Sequence, residues 1–252
     1  MNFLTALRKE WLEQRRTRRL LIVIIVFVAF GLSSPLLAKF MPEVMKSFPE
    51  TAAIASLFPD PTAADAVGQY LKNMSQFGLL LAVLLSMGAV TNEKERGTAA
   101  LMLTKPLPRG SFLAAKAVAL LITFGVGVAL AGLGGYYYTY VLFEPLPVGG
   151  WLALNGLLLA YIFVYVAITL LASTLARSQV AAGGIAFGLA ILLSIFKAIP
   201  TTGKLIPAKL LDWGMQAALG NCETAWGALA VCLGLALAAL LGAWLALRKQ
   251  EL

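Results

Sequence analysis

The sequence predicts an all-α integral membrane protein with six membrane-spanning helices, and three observations carry that prediction. Of the 252 residues, 60% are hydrophobic and only 13% are charged, against roughly 25% charged residues in soluble domains. The mean hydropathy is +0.84, which is typical of a chain that lies mostly in lipid. The charged residues are also unevenly distributed, because they lie between six long runs that contain no Asp, Glu, Lys or Arg.

Each charge-free run is 19 to 27 residues long, and about 20 residues of α-helix cross a hydrocarbon core of about 30 Å. Strands of a membrane barrel would be shorter and would alternate polar and apolar residues, so we expect helices. We treat the whole chain, 1–252, as a single transmembrane domain. The predicted spans are residues 20–38, 73–92, 117–143, 151–176, 178–196 and 224–247.

Residues 1–19 precede the first span and predict an amphipathic helix at the membrane interface. Its apolar residues recur at helical spacing, and its arginines suit anionic headgroups. A cleaved signal peptide is the alternative, but the apolar run that follows is 19 residues long, which is too long for the core of such a peptide. The side chains that we expect at the membrane interface are Phe3, Leu7, Trp11, Arg15 and Arg16.

Lysine and arginine predict the orientation. With the N-terminus in the cytoplasm, the inner segments hold 14 of the 20 basic residues and the outer segments hold 6. The positive-inside rule therefore favours two cytoplasmic termini, as in a multi-pass protein of a bacterial or archaeal inner membrane. The net charge of +8 follows from this arrangement, because the basic residues flank apolar runs and form no stripe for nucleic acid.

Several activities are disfavoured by what the sequence lacks. It has no histidine, which excludes His-dependent catalysis and His-ligated metals, and Cys222 and Cys232 are read as structural thiols. No phosphate-binding loop is present, and no charged group lies well inside a run, as proton coupling or intramembrane hydrolysis would need. We therefore expect no catalytic residue, bound metal or cofactor in this chain. The polar residues of the spans are expected to bond to nearby backbone carbonyls: Ser86, Thr123, Asn155, Thr169, Ser173 and Ser194.

Glycines within the spans and turn-forming residues between them predict where helices pack closely and where they begin or end. Gly184 with Gly188, and Gly234 with Gly242, predict close helix packing, either within one chain or between two chains. The outer segment between the first two spans, residues 40–72, is expected to be broken by its prolines: Pro42, Pro49, Pro59 and Pro61. The stretch from Thr62 to Asp65 predicts a capping box that opens a short helix through Tyr70.

The longest charged segment between spans is residues 93–116, which we call the coupling segment. It places Glu95-Arg96-Gly97-Thr98 before an apolar turn, and then Thr104-Lys105-Pro106-Leu107-Pro108-Arg109. This pattern, together with the basic amphipathic N-terminus and six-span hydropathy, resembles the permeases of ABC-2 type transporters over the whole chain. An ordinary charged loop that only fixes topology is the alternative, but acidic residues contribute little to topology.

The resemblance implies a permease that docks a separate P-loop ATPase through a short coupling helix. It implies two ATPase copies, which bind ATP and magnesium, a homodimer of this chain in membrane lipid, and export of cargo. The resemblance implies that Glu93 and Glu95 pair with the ATPase or with the N-terminal helix and that Arg96 makes the reciprocal contact. It implies a turn at Gly97, a helix cap at Thr98 and an apolar contact by Leu101. It also implies that Pro106 stiffens the return of the chain and that the Arg109 side chain faces the cytoplasm or lipid phosphate. A membrane anchor or assembly factor without transport activity, serving an ATPase or an extracytoplasmic enzyme, is the second hypothesis.

Overall fold

In a computed structural model the chain is described over residues 3–48, 60–95, 108–196, 206–221 and 223–249, and every regular element within these ranges is an α-helix. The helices are α1 (Phe3–Arg16), α2 (Arg19–Lys46), α3 (Ala63–Ser86), α4 (Gly88–Glu95), α5 (Arg109–Leu142), α6 (Val148–Leu175), α7 (Gln179–Phe196), α8 (Lys209–Ala218) and α9 (Trp226–Lys249).

Within the described ranges, six helical stretches are long and apolar enough to cross a membrane: α2, α3 continued by α4, α5, α6, α7 and α9. This confirms the predicted fold class and the number of spans. Helices α1 and α8 are shorter and amphipathic, with one polar and one apolar side.

Several helices are longer than the charge-free runs. The capping box is confirmed, because Thr62 Oγ1 accepts from the Asp65 amide and Asp65 Oδ2 accepts from the Thr62 amide. The helix that it opens does not end at Tyr70, however, but continues as α3 to Ser86. Helix α2 likewise passes through Pro42 to Lys46, so that proline does not break it.

Two further helices begin before the spans predicted within them. Helix α5 begins at Arg109, ahead of the span predicted from 117, and α6 begins at Val148, ahead of the span predicted from 151. The physical reason is the same in both cases: a helix extends past the hydrocarbon core while its backbone bonds remain satisfied, so its ends need not coincide with the first charge.

Helix α6 is the centre of the bundle. Its most apolar stretch is 72% buried, against 22% for α7 and 28% for α9, because α3, α5, α7, α8 and α9 all pack around it. Two polar contacts fix its register: Tyr70 on α3 donates to Asn155 Oδ1 at 2.6 Å, and Trp151 Nε1 donates to the Gly132 carbonyl on α5 at 2.9 Å.

The tightest helix crossings occur at glycines other than those selected from the sequence. A Cβ at Gly31 on α2 would lie 2.7 Å from the Ala131 carbonyl oxygen on α5, so these two backbones approach as only glycine allows. A Cβ at Gly184, Gly188 or Gly234 would meet no described atom within 4 Å, and one at Gly242 would meet only Leu171, at 3.4 Å or more. Close packing of those four glycines between two chains stays a prediction.

One end of the bundle gathers α1, the end of α4, the start of α5, the end of α6 and the end of α9; we call it the basic end. Three contacts define it: Lys116 with Glu10, Arg109 with the Leu247 carbonyl, and the Val90 amide with Ser173. Both terminal helices therefore reach the same end of the molecule.

Candidate functional site

The two flanks of the coupling segment lie at the basic end. Of the predicted coupling residues, Glu93 and Glu95 are on α4 and Arg109 opens α5. The others lie outside the described residues: Arg96, Gly97, Thr98, Leu101 and Pro106. The described flanks of the coupling segment are therefore the end of α4 and the start of α5.

Five charged side chains from α1, α4 and α5 form a single cluster, which we call the charge cluster: Lys9, Glu10, Glu13, Glu93 and Lys116. The Lys116 Nζ lies 2.8 Å from Glu93 Oε1 and 3.1 Å from Glu10 Oε1. The Lys9 Nζ lies 2.7 Å from Glu93 Oε1, 2.9 Å from Glu10 Oε1 and 3.4 Å from Glu13 Oε2. The cluster thus joins the N-terminal helix to both flanks of the coupling segment.

The centre of the charge cluster is buried. The Lys116 side chain is 3% exposed and that of Glu10 is 7% exposed. A buried ammonium is tolerated only when paired and hydrogen-bonded, and here two carboxylates provide the pairing. Burial lowers the pKa of the Lys9 ammonium, but the carboxylates of Glu10 and Glu93 raise that pKa by more, so the net pKa is above its usual value. Lys9 therefore stays charged at neutral pH.

Oxygens of Glu10, Glu13 and Glu93 lie within 4.8 Å of one another, a spacing that could hold a metal ion. Lys9 and Lys116 already contact these carboxylates and supply their counter-charge. The arrangement therefore favours an ionic junction between helices over a cation site.

Helix α4 is separated from α3 by a break at Met87 and is held instead by α6. The amides of Val90 and Thr91 donate to Ser173 Oγ at 3.0 and 3.2 Å, so a side chain of α6 satisfies amides near the start of α4. The Lys94 ammonium donates to the Thr174 carbonyl at the end of α6. The second span therefore ends in a short helix fixed to the central helix.

Arg109 lies against the last turn of α9. Its Nη1 donates to the carbonyls of Leu247 at 2.6 Å and Arg248 at 2.8 Å, which are terminal carbonyls without partners in their own helix. Arg109 is half-buried, and the role that the sequence suggests for it, facing the cytoplasm or lipid phosphate, stays a prediction. Glu95, by contrast, is exposed at the end of α4.

The interfacial residues occupy different sides of α1. Ala6, Glu10 and Gln14 form a stripe at every fourth residue that is buried against the bundle. Phe3 is partly exposed, Leu7 packs against the core and Trp11 is half-buried, while Arg15 and Arg16 are exposed. The polar stripe of α1 thus faces the protein.

Sequence reasoning missed Lys9, Glu10, Glu13 and Ser173 as site residues, and treated Lys116 only as the end of the coupling segment. The expected carbonyl bonds are confirmed for Thr123, Asn155, Thr169 and Ser194. Ser173 instead accepts from α4, and Ser86 Oγ is buried without a hydrogen-bond partner among the described residues. The spacing of Glu10 and Gln14 was the one available signal, since residues four apart lie on the same helix face.

Six candidate spans define a multi-pass membrane protein, and the charge cluster joins the two flanks of the coupling segment at one end of the bundle. A sequence model described as "ABC-2 family transporter protein" matches residues 4–212, and the chain belongs to that family. It is thus a permease component, the membrane part of a transporter and not itself the catalytic subunit. It is also similar to the uncharacterized transmembrane protein YxlG of Bacillus subtilis (strain 168), with 29% identity over 212 residues, covering 81% of this chain and 80% of the relative.

Proposed function

We propose that this permease is driven by a separate P-loop ATPase that docks on the coupling segment at the basic end. Family membership supplies the partner class, since ABC-2 permeases typically work with an ATPase subunit. The observation that carries the proposal is the charge cluster, in which Glu93 before the segment and Lys116 after it lie 2.8 Å apart. A force on the segment would therefore reach α4, α5 and α1 together.

The proposal places the basic end in the cytoplasm, in a bacterial or archaeal inner membrane. The excess of basic residues in the segments assigned to that side favours this orientation, and both terminal helices reach the basic end. In the proposed assembly two copies of this chain bind two ATPase subunits, ATP and magnesium bind to those subunits, and cargo is exported. The apolar second and fifth spans suit a hydrophobic or amphiphilic cargo.

The experiment is an affinity purification of the detergent-solubilised protein from its native membrane, with the co-purified proteins identified by mass spectrometry. We compare wild type with Glu95→Ala/Arg96→Ala, which removes one acid and one base from the segment. The matched control is Glu43→Ala/Lys46→Ala, which removes one exposed acid and one exposed base from the other end of α2.

A P-loop ATPase that accompanies wild type and the control, and is reduced by the segment variant, supports docking at the segment. An ATPase that is retained equally by all three forms places docking elsewhere. A stable protein that retains no ATPase in any form contradicts the proposal and favours the anchor or assembly role.

A further inference from the structure

An apolar groove of about 320 Å³ opens on the outside of the bundle between α5 and α9, next to the basic end. On α9 its wall extends from Leu237 to Trp244, seven residues or about 10 Å along the helix axis. It exists partly because Gly110 has no side chain: a Cβ there would lie 3.3 Å from Trp244 Nε1. The residues that shape the groove are Gly110, Leu113, Ala114, Leu237, Leu241 and Trp244.

The groove faces the surroundings of the bundle. Leu237 is 60% exposed and Leu241 is 57% exposed. Both lie on a helix apolar enough to span the membrane, and an acyl chain is the apolar group that a membrane offers to a groove on this face. A groove of this kind orders a chain that would otherwise move freely along the protein surface.

The mouth of the groove carries positive charge and a hydrogen-bond donor. The Arg248 guanidinium lies 5.0 Å from the centre of the Trp244 ring, which holds it over the mouth by a cation–π contact, and Lys249 follows it; both are exposed. In the described part of the chain, neither of these cations forms an ion pair and the Trp244 indole N–H has no hydrogen-bond partner. An arginine and an indole N–H at headgroup depth are complementary to a phosphate.

We propose that the groove between α5 and α9 is a binding site for an anionic phospholipid, with one acyl chain along Leu237 and Leu241 and the phosphate at Arg248 and the Trp244 indole. Arg109 shapes the site without contacting the lipid, because its guanidinium holds the terminal carbonyls of α9 in place. The proposal does not depend on the ATPase or on the direction of transport.

The test is native mass spectrometry of the purified full-length protein with phosphatidylglycerol or phosphatidylcholine of identical acyl chains. We expect wild type to retain phosphatidylglycerol preferentially. Arg248→Gln should reduce its affinity about fivefold, the effect of losing one basic residue near an anionic lipid surface. Ala114→Phe should also reduce it, because Ala114 is exposed and lines the groove, so that a phenyl ring fills the space without removing charge.

Two matched controls accompany these variants. Arg177→Gln removes an exposed arginine from the loop between α6 and α7, and Ala230→Phe adds the same ring to an exposed position of α9 away from the groove; both should retain the lipid as wild type does. Equal retention of the two lipids by wild type, or equal losses in the controls and the groove variants, overturns the proposal. Displacement of the lipid by millimolar inorganic phosphate also overturns it, since that result would make the mouth a site for free anions.

Discussion

Replacing Lys116 by methionine tests whether the charge cluster is a structural junction. The change keeps most of the apolar stem of the side chain but removes the ammonium, and the carboxylates of Glu10 and Glu93 then share Lys9 as counter-charge. At an effective dielectric of about 20, two charges separated by the 2.8 Å between Lys116 and Glu93 attract by about 6 kcal/mol. Desolvation offsets several kcal/mol of this for each ion, so the loss on breaking a buried pair is about 3–5 kcal/mol.

The measurement is the thermal unfolding midpoint of the purified protein in detergent. A loss of that size corresponds to about 6–20 °C if each kcal/mol shifts the midpoint by about 2–4 °C, as for soluble chains of this length. Lys46→Met, at an exposed position at the end of α2, is the control and should change the midpoint little.

A double-mutant cycle separates the ionic contact from a general effect of the substitution. Glu93→Gln combined with Lys116→Met should be less destabilising than the sum of the two single changes, because Lys116→Met leaves Glu10 and Glu93 sharing Lys9 as counter-charge, and Glu93→Gln removes one of these two carboxylates. Additive effects, or a Lys116→Met midpoint equal to that of Lys46→Met, would refute the reasoning.

Three further predictions concern local geometry, each measured as the unfolding midpoint. Ser173→Ala should lower the free energy of unfolding by about 0.5–2 kcal/mol, as for the loss of a helix cap. Ser194→Ala, which loses only a hydrogen bond within its own helix, should be nearly neutral. Equal losses in the two variants would show that Ser173 does not hold α4. Gly31→Val should lower the free energy of unfolding by about 1–3 kcal/mol because the new side chain forces α2 and α5 apart. Gly188→Val, whose Cβ meets no described atom within 4 Å, should leave the midpoint unchanged. A larger loss for Gly188→Val than for Gly31→Val would contradict the close crossing of α2 and α5. Arg18 has φ 59° in the turn between α1 and α2, so Arg18→Gly should be more stable than Arg18→Ala by about 1 kcal/mol, and no difference would argue against that turn.

The number of spans could be predicted from sequence because the cost of unsatisfied backbone in lipid is the same for every apolar run. The ends of the helices could not be predicted in this way. Asp65 and Lys72 precede the predicted second span, and both belong to α3 and are turned away from its buried side. A helix of 24 residues is about 36 Å long and exceeds a core of about 30 Å, so its first turns carry charge without cost.

The charge cluster could not be predicted for a different reason. In the sequence Lys116 only marks the end of the coupling segment, and nothing distinguishes Glu10 from the other charged residues before the first span. Their pairing depends on which face of α1 meets α5, over a separation of 106 residues. Hydropathy reports how much of a helix is polar, but the position of a polar stripe relative to another helix is decided by packing.

These contacts suggest how movement at the basic end would reach the membrane. The flanks of the coupling segment are held to each other by Glu93 and Lys116, so the segment cannot shift one flank alone without breaking a buried ion pair. Ser173 and Lys94 hold α4 to α6, the helix around which the bundle packs, while the break at Met87 separates α4 from the rest of the second span. If an ATPase displaces the segment, we therefore expect α4 to move with α5, α1 and the end of α6 as one unit and the second span to bend at Met87. Spin labels on α4 and α5 should keep a constant separation during ATP turnover, while labels on α3 and α4 should change theirs.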